Sequence, residues 1–580
     1  MSVSSWLEIL AVVVLLAIST PILGNYMAKV YGNQAAPGDR FFLPVERFVY
    51  RICGVDPESE QRWTTYVLSM LVYTAAGILL LYAVLRLQGH LPFNADSKAG
   101  LPTNLSFNTA ISFGTNTDWQ NYLGEATMSH FSQMFGLMVK QFVSAAVGMA
   151  LAAAFIRALV RRRQTTLGNF WVDTVRSITR ILLPIAFVFG IFFISQGAIQ
   201  NFNSTKTVHT VAVQSIDANG HPVKTQSLPG GPAGSFTPIE GLGDNGGGFF
   251  NANGAHTYQL PNPISSTLYI WLLLMIPFAF PWTFGKMIGS LRQGFVVLTA
   301  MAVLFSIGLV IAAVYEGNGN PKLPSSVSQA ATSSQVGGNL EGKDTRLGVG
   351  LSTLDANGIT STSTGTTNSA HESYTPIGGA VPLFQIMLGE VDPGGTGTGL
   401  YGMLILVFIS TFIAGLMVGR TPEYLGKKIQ AREVKLTALY LLVLPFSVLV
   451  ISGIAIGIPP GLQSLWSSGT HGLTELVYAY TSMAHNNGSA FGGLSGNTTW
   501  YTVTGGIVML VGRFALIIPA LAIAGSLVRK RALPDTAGTL RTDTPLFTGL
   551  LMVVTIIVTG LTYFPVLALG PLAEHFTGHF

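Results

Sequence analysis

Ten apolar stretches run through this sequence, and charged residues are rare inside them. An α-helix of about 20 apolar residues crosses the hydrocarbon core of a bilayer. Only 10% of the residues are charged, whereas soluble domains carry about 25%. The sequence therefore predicts an all-α integral membrane protein with ten transmembrane helices and excludes a soluble domain. The approximate cores of the ten spans are residues 5–28, 63–88, 128–156, 178–200, 263–285, 293–316, 380–419, 434–458, 498–527 and 545–572.

Three local features refine this reading. The first stretch has no basic segment in front of it, so we interpret it as a retained span and not as a signal peptide. The seventh stretch is interrupted by GEVDPGGTGTG, from Gly389 to Gly399, and glycine-rich backbone next to a proline predicts a break in the helix. The single cysteine, Cys53, excludes an internal disulfide and predicts a buried or interfacial thiol.

The basic residues cluster in alternate connections between the spans. The positive-inside rule places these connections in the cytoplasm, and both termini then lie outside. The net charge of +5 follows this topology and does not indicate nucleic-acid binding. The clustered residues are Arg40, Arg47, Arg51 and Arg62, then Arg161, Arg162 and Arg163, then Lys286 and Arg292, then Arg420, Lys427, Lys428, Arg432 and Lys435, and finally Arg529, Lys530 and Arg531.

The outer connections are long and polar, and each contains one compact signature. The signatures recur every 120 to 130 residues, and a segment able to form a short helix precedes each one. The predicted unit is a span, a short re-entrant helix, an extended polar strand and a second span, used four times in a pseudo-fourfold arrangement. The signatures are SFGTNTDWQNY (Ser112 to Tyr122), GDNGGGFFNANG (Gly243 to Gly254), TSTSTGTTNSA (Thr360 to Ala370) and AHNNGSAFGG (Ala484 to Gly493).

This pattern divides the chain into six segments. An extra span with its loop occupies residues 1–60, and a last extra span occupies 531–580. Between them lie the four pore units, at 61–165, 166–290, 291–425 and 426–530, the third of which has a broken second helix.

The signatures predict an ion-binding site on a common axis. Irregular backbone at membrane depth persists only where it is buried in protein or lines a water-filled cavity, and rings of carbonyl oxygens can replace the hydration shell of potassium. Glycine permits the unusual backbone angles that such a strand needs. We expect the carbonyls of Gly246, Gly247 and Gly248 to face the ion, the short helices to aim their negative ends at it, and Asp118 and Asp244 to attract cations at the mouth. Hydroxyl and amide side chains that can add oxygen ligands are Thr115, Asn116, Thr117, Asn245, Ser363, Thr364, Asn486, Asn487 and Ser489.

The sequence resembles the potassium-binding subunit family of the bacterial Kdp potassium-transporting ATPases over nearly its whole length. The resemblance is carried by the first two signatures, by NNGSAF, by VGRFALIIPALAIAGSL and by GLYGMLILVFISTFIAGLMVGRTPEYLGKKI. It implies a potassium filter facing outside and ions that leave sideways, through a tunnel, into a P-type ATPase subunit. It also implies the inner membrane of a bacterium. The filter residues it implies are Thr115, Asn116, Thr117, Asp118, Asn245, Gly246, Gly247, Gly248, Ser363, Thr364, Gly365, Asn486, Asn487, Gly488 and Ser489, flanked by Gln120 and Asp244.

Some positions depart from the family pattern. Thr364 stands where some relatives have cysteine, Asp244 where some have threonine, and Lys140 where some have a neutral polar residue.

Ionisable residues at membrane depth are functional candidates. Glu390 lies in the break of the seventh span with Gly394 and Gly395, and we expect this segment to block the downward exit while Glu390 helps the ion turn towards the tunnel. Arg513 can repel a cation or pair with a carboxylate near that segment. Lys140 fits a snorkelling or helix-pairing lysine, and His485 a satisfied histidine at a helix end, because alkali ions prefer oxygen.

The chain contains no phosphate-binding loop and no Asp-Lys-Thr-Gly phosphorylation sequence. It is therefore predicted to be non-catalytic and to depend on a P-type ATPase catalytic subunit with small accessory subunits. We expect membrane lipids as further partners, no cofactor, and no metal other than transported potassium. The alternative is a stand-alone potassium transporter of the Trk/Ktr type, driven by membrane potential or an ion gradient. A scaffold without transport leaves the four polar strands unexplained.

Overall fold

Helices make up most of the computed structural model, which describes residues 3–213, 215–216, 220–333, 335–534 and 538–577. In chain order the helices are α1 (Val3–Tyr31), α2 (Asp39–Cys53), α3 (Trp63–Leu87), α4 (Thr103–Gly114), α5 (Gly124–Thr127), α6 (Val139–Val160), α7 (Phe170–Arg176), α8 (Leu183–Ser195), α9 (Ala233–Leu242), α10 (Pro263–Met287), α11 (Leu291–Gly317), α12 (Gly348–Ser361), α13 (Pro376–Met387), α14 (Thr398–Met417), α15 (Ala431–Ile456), α16 (Pro459–Leu462), α17 (Gly469–His485), α18 (Thr499–Leu527), α19 (Pro545–Leu567) and α20 (Ala573–Thr577).

Short π-helical turns lengthen three of these helices. Ser132–Met138 runs into α6, Ser177–Leu182 joins α7 to α8, and Ala568–Leu572 joins α19 to α20. Single 3-10 turns cover Gln88–His90, Asn253–Ala255 and His371–Ser373.

The strands are short and lie in the connections. They are β1 (Gln61–Arg62), β2 (Thr166–Gly168), β3 (Lys206–His209), β4 (Ser215–Ile216), β5 (Pro222–Val223), β6 (Thr225–Leu228), β7 (Glu423–Tyr424) and β8 (Lys427–Lys428). They form antiparallel pairs β1–β2, β3–β6, β4–β5 and β7–β8.

Ten helices are long and apolar enough to cross a membrane within the described part of the chain, as the sequence predicts. The fourth begins earlier than expected, because α7 carries the polar segment before the apolar run and the π-helical turn continues it into α8. The predicted break is also confirmed: α13 ends at Met387, and α14 starts at Thr398 and crosses alone. The chain is therefore a multi-pass membrane protein.

The predicted repeat of span, short helix, loop and span is present four times. The short helices that precede the signatures are α4, α9, α12 and α17, and the second spans of the units are α6, α10, α14 and α18. Each span contains an apolar stretch of 18 residues. In the second spans 83%, 72%, 72% and 61% of that stretch is buried, against 22%, 39%, 44% and 22% in the first spans. The second spans therefore form an inner layer, and the first spans lie outside it.

Small residues let the inner layer pack closely. The segment from Ser144 to Ala154 of α6 is nearly all Ala, Gly, Val and Met and is buried throughout, and small side chains allow close backbone approach in membrane helices.

The predicted boundaries between the six segments lie in the connections between spans. They fall at the start of β1, at the start of β2, at the start of α11, between β7 and β8, and after α18.

Two smaller findings concern single residues. Cys53 is exposed at the end of α2, so a buried thiol was the wrong alternative. Arg157 forms an ion pair with Asp173 in the interior, and Tyr66 donates to the same carboxylate at 2.9 Å, which satisfies three buried polar groups together.

The C-terminal helix α20 is held by a histidine with two carboxylate partners. His471 Nδ1 lies 2.8 Å from Glu574 Oε1 and its Nε2 lies 2.9 Å from Glu372 Oε1. Burial alone would lower the pKa of His471, but the two carboxylates outweigh burial and raise the pKa to about 10.

We expect this contact to make stability depend on pH. A pKa raised from 6.5 to about 10 contributes its full stabilisation below pH 6.5 and loses it as pH rises through about 10. The melting temperature of the purified chain should fall as pH rises across that window. The variant His471→Gln should melt at a lower temperature than the original chain near pH 6.5, and its melting temperature should not change across the window. His575→Gln, on the exposed end of α20, is the matched control, and an unchanged slope in His471→Gln would contradict the assignment.

Candidate functional site

Each signature loop starts with the same backbone turn at the C-terminal end of its short helix. The first residue of each loop has a left-handed φ, between 47° and 64°, although a side chain disfavours this conformation. Asp118, Gly246 and Gly488 repeat a positive φ two residues later. Alternation of this kind turns successive carbonyls towards one side of the strand. The four first residues are Asn116, Asp244, Ser363 and Asn486.

The four loops meet backbone to backbone. A Cβ atom added at Gly246 would overlap the amide nitrogen of Gly365, and one added at Gly488 would overlap the carbonyl oxygen of Thr117. A Cβ at Gly365 would lie 2.8 Å from the carbonyl carbon of Gly488. Unit two therefore contacts unit three, unit three contacts unit four, and unit four contacts unit one. Glycine occupies the positions where two backbones come too close for a side chain.

Contacts between units two and one close the ring. Asn116 Nδ2 donates to the carbonyl of Asp244 at 2.8 Å, and Asn245 Nδ2 donates to Asn116 Oδ1 at 2.8 Å. A Cβ at Gly247 would lie 2.9 Å from the carbonyl oxygen of Asp118. The pseudo-fourfold arrangement of the predicted units is confirmed by this closed ring, which we call the central ring.

Backbone and amide hydrogen bonds fix the loops against one another elsewhere in the central ring. The amide of Gly365 donates to the carbonyl of Asn245 at 3.1 Å. Asn486 Nδ2 donates to Thr117 Oγ1 at 2.9 Å, and Asn487 Nδ2 donates to the carbonyl of Ile359 at 2.9 Å. Amide side chains therefore join one unit to the next and are not free to rotate into the axis.

Two carbonyls of the predicted filter accept hydrogen bonds from side chains of unit one. The carbonyls of Gly247 and Gly248 accept from Gln141 Nε2 at 2.7 Å and from Gln120 Nε2 at 3.1 Å. These carbonyls therefore accept hydrogen bonds from unit one, and the expectation that they face the ion stays a prediction.

Hydroxyls at the edges of the strands also bond within their own units. Thr115 Oγ1 bonds to the carbonyl of Ile111 and to Thr117 Oγ1, and Thr364 Oγ1 lies 3.0 Å from Thr362 Oγ1. Ser489 Oγ bonds to Tyr478 and to Asn487. The residues at which the loops touch backbone to backbone are Thr117, Gly246, Gly365 and Gly488.

Three glutamines from unit one hold consecutive carbonyls of the second loop. Gln133 Nε2 donates to the carbonyl of Phe249 at 3.2 Å and continues the series that Gln141 and Gln120 begin. Only Gln120 was identified from the sequence. Gln133 and Gln141 are polar residues at membrane depth and eight positions apart on one helix, which is the signal that could have revealed them.

Each short helix also contacts its own outgoing strand through one equivalent pair of residues. Asn121 Nδ2 donates to Asn108 Oδ1 at 3.0 Å, and the amide of Asn368 donates to Asp355 Oδ2 at 2.8 Å. In the other two units aromatic rings meet. Their pairs are Phe236 with Phe249, at 6.5 Å between centroids, and Tyr478 with Phe491, at 4.6 Å.

A buried carboxylate that the sequence interpretation missed lies behind the second and third loops. Glu240 accepts from Gln259 at 2.8 Å and from Tyr269 at 3.2 Å, and it also bonds to Thr366. Thr366 Oγ1 lies 3.0 Å from the carbonyl oxygen of Gly246. The network therefore reaches the central ring through one threonine.

The break segment, residues 388–397, lies directly against the central ring. Glu390 accepts from Asn487 Nδ2 at 2.8 Å and from Ser363 Oγ, so it joins the third and fourth loops. The amide of Gly394 donates to the carbonyl of Ser361 at 2.9 Å, at the end of α12. The segment therefore sits at the ends of the short helices, where the loops begin.

Glycine allows the break segment to fit there. A Cβ at Gly395 would lie 3.1 Å from Ser363 Oγ and from the carbonyl of Thr362, and one at Gly394 would overlap Glu390 and Gly399. Gly397 and Gly148 of α6 also leave room for no side chain between them. The segment thus fills the space between the loops and the second span of unit one.

Asp244 is placed differently from its expected position at the mouth. It is fully buried and bonds to Thr396 of the break segment, because it is the second residue after α9 and so lies at the helix end of its loop. Asp118 is also buried, and neither of its side-chain oxygens has a donor among the described residues.

The remaining intramembrane charges have separate roles. Arg513 is buried in α18. The carboxyl groups of Glu390 and Asp118 and the phenol groups of Tyr401 and Tyr440 are its electrostatic neighbours. Lys140 Nζ packs on Gly77 of α3 and pairs α6 with that helix. His485 ends α17 and bonds to the carbonyl of Thr481 at 2.9 Å, so the prediction of a satisfied histidine is confirmed.

The fold and the central ring define a class, which is a single-chain membrane protein with four pore-loop units around one polar axis. The chain belongs to the KdpA family, described as the potassium-transporting ATPase A subunit, whose sequence pattern matches residues 10–576. The predicted family is therefore confirmed.

Curated relatives match the chain over nearly their full length. A protein named potassium-transporting ATPase potassium-binding subunit from Mycobacterium bovis (strain BCG / Pasteur 1173P2) is 52% identical over 577 residues, 99% of both chains. Proteins of the same name from Herpetosiphon aurantiacus and Acidobacterium capsulatum are 49% and 47% identical, over 97% and 99% of this chain and 97% and 98% of theirs.

Among solved structures, the potassium transporter TrkH from Vibrio parahaemolyticus has a similar fold. The TM-score is 0.50 at 14% identity, and the match covers 89% of this chain and 98% of that chain. At this identity the likeness concerns the fold alone, and it agrees with the predicted fold class.

We expect Gly246→Ala to disrupt the central ring, because the new Cβ would overlap Gly365 and because φ at this position is 97°. Strain and displaced backbone should lower the melting temperature of the purified chain by several degrees and weaken cation binding at least tenfold, since about 1.4 kcal/mol corresponds to a factor of ten. Calorimetric titration with potassium measures the binding.

Gly492→Ala is the matched control. This glycine lies in the fourth signature, is exposed, and has no atom within 4 Å of the position that a Cβ would take. Equal effects of the two substitutions would contradict a backbone contact at Gly246.

Proposed function

We propose that this chain is the channel-like subunit of an ATP-driven potassium uptake complex and that its central ring is the potassium filter. The observation that carries the proposal is the closure of four loops, backbone to backbone, at one point of a membrane protein. A set of carbonyl oxygens at this point would replace the hydration shell of a cation. The names of the full-length relatives, which include potassium binding and an ATPase, support potassium as that cation.

The ends of four short helices favour a cation at the same place. The loops start at the C-terminal ends of α4, α9, α12 and α17, and the helix dipole is negative at this end. Thr117, Gly246 and Gly365 are buried and Gly488 is partly buried, so a bound ion would be held largely by protein oxygens. The proposed ligands are the backbone oxygens around Thr117, Gly246, Gly365 and Gly488, with side-chain amides of the same loops as supports.

The break segment is the proposed barrier to the straight exit. It packs against the inner ends of the loops through Glu390, Gly394 and Gly395, as described above, and a carboxylate there would attract the ion that leaves the ring. We propose that Glu390 helps the ion turn sideways and that the positive charge of Arg513 opposes passage along the axis.

A cavity supports a sideways route. It has a volume of about 50 Å³ and begins at Leu388, Gly389 and Val391 of the break segment. It continues between α14, α15 and α19, where Tyr440 and Thr559 line it. An ion that followed this cavity would leave the chain laterally, towards a partner in the same membrane.

The energy must come from that partner. The chain carries no nucleotide-binding motif, and the connections on the basic side are too short for a nucleotide-binding domain. We propose a P-type ATPase catalytic subunit and small accessory subunits as partners, in the inner membrane of a bacterium with both termini outside. The alternative is a stand-alone potassium transporter driven by membrane potential or an ion gradient.

Reconstitution distinguishes these functions. We expect the purified chain alone in liposomes to take up no potassium in response to ATP, and uptake to appear when the co-purifying subunits from native membranes are added. Potassium accumulation by the chain alone, driven only by an imposed potential, would instead support the stand-alone transporter.

A substitution tests the proposed role of Glu390. Glu390→Gln keeps an oxygen that can accept from Asn487, offers Ser363 Oγ an N–H donor, and removes the charge. Potassium binding to the ring should therefore change little while potassium-stimulated ATP hydrolysis by the complex falls about tenfold. Glu341→Gln, in a connection away from the ring, is the control. A normal turnover rate in Glu390→Gln would remove Glu390 from the ion route.

A further inference from the structure

The helix α2 lies in the connection between the first two spans and exposes an apolar stripe. Phe41, Val45, Phe48 and Ile52 follow one another at intervals of four, three and four residues, and Phe41, Phe48 and Ile52 are 70%, 64% and 68% exposed. At about 100° per residue these side chains share one face of the helix. Four large apolar side chains on one face of a surface helix need a covering environment.

A second stripe on α2 is basic. Arg40, Arg47 and Arg51 are all exposed, and they are spaced seven and four residues apart. This spacing places them on one line along the helix, next to the apolar stripe and on the side away from the buried Glu46.

The third face of α2 docks on the chain itself and fixes the depth of the helix. Glu46 is buried and forms ion pairs with Arg180 and with Arg176, the latter at 3.6 Å, and Asp39 also pairs with Arg180. Arg180 is the last charged residue before the apolar run from Ile181 to Ile194. The ion pairs therefore hold α2 at the level where the hydrocarbon part of this span begins.

We propose that α2 is an interfacial helix that binds anionic phospholipid in the leaflet on the basic side of the membrane. The apolar stripe enters the boundary of the acyl chains, as amphipathic helices with basic faces do. The guanidinium groups of Arg40, Arg47 and Arg51 contact lipid phosphates, which the planar fork of arginine fits. The proposal concerns a part of the chain remote from the central ring and does not depend on potassium transport.

Charge complementarity selects the lipid. Each arginine near an anionic surface contributes about fivefold to binding, whereas a zwitterionic surface gives no comparable gain. A phosphatidylglycerol-type headgroup therefore fits the basic stripe better than phosphatidylcholine does.

The single cysteine of the chain provides the probe. Cys53 is exposed and ends α2 next to Ile52, so an environment-sensitive fluorophore can be attached to the full-length protein without any substitution. The labelled chain is reconstituted into nanodiscs of phosphatidylcholine alone or of phosphatidylcholine with phosphatidylglycerol, each with a small share of spin-labelled quencher lipid of either headgroup.

We expect blue-shifted emission in both nanodiscs and at least about fivefold stronger quenching by the anionic quencher than by the zwitterionic one, since each arginine contributes about fivefold. The triple variant Arg40→Gln, Arg47→Gln, Arg51→Gln should lose the preference for the anionic quencher. The double variant Phe41→Ser, Phe48→Ser should lose the blue shift. The control Arg432→Gln, Lys435→Gln, Arg531→Gln removes the same charge from exposed positions on the same side and should keep both signals.

The labelled wild-type chain alone can overturn the proposal. Emission typical of water in both nanodiscs would show that the stripe does not enter the membrane, and equal quenching by the two lipids would show that it does not select anionic headgroups. If the probe is in water until the co-purifying subunits are added and becomes shielded only then, a partner subunit covers the stripe and the lipid assignment is wrong.

Discussion

The structure depends on backbone contact at the centre of the chain. Gly246, Gly365 and Gly488 leave no room for a Cβ because each touches the neighbouring loop. A lipid-exposed loop at membrane depth would leave unpaired amide and carbonyl groups, at a cost of several kcal/mol each. Four loops that meet can instead satisfy many of these groups with the amides and hydroxyls of their neighbours. The closely packed second spans and the break segment enclose this arrangement.

Much of the fold could be predicted from the sequence because the membrane imposes simple rules. Length and hydropathy identify the spans. A polar, glycine-rich loop at membrane depth must be buried in protein or line a water-filled cavity. The break before α14 was predictable from Gly394 and Gly395 for the same reason. The left-handed residue after each short helix was only partly predictable. Asparagine and aspartate favour this conformation among non-glycine residues, as at Asn116, Asp244 and Asn486, whereas Ser363 has no such preference.

The orientation of individual groups could not be predicted. The carbonyl of Gly247 accepts a hydrogen bond from Gln141, which is 106 positions away in the chain. The position of Asp244 depends on Thr396, 152 positions away. Periodicity and local propensity carry no information on such pairs, so the sequence indicates which residues gather at the centre but not which atoms point to it. The buried Glu240 was missed because a single carboxylate in a short helix does not reveal its three hydrogen-bond partners, which follow it much later in the chain.

The four units carry out one structural task with different chemistry. The pair that connects each short helix to its outgoing strand is two amides in the first unit, two phenyl rings in the second, a carboxylate with a backbone amide in the third, and a tyrosine with a phenylalanine in the fourth. In an assembly of four identical chains, any substitution appears in all four units at once. Here a mutation alters a single unit, so the central ring can lose its symmetry in small steps while the other three units preserve its geometry.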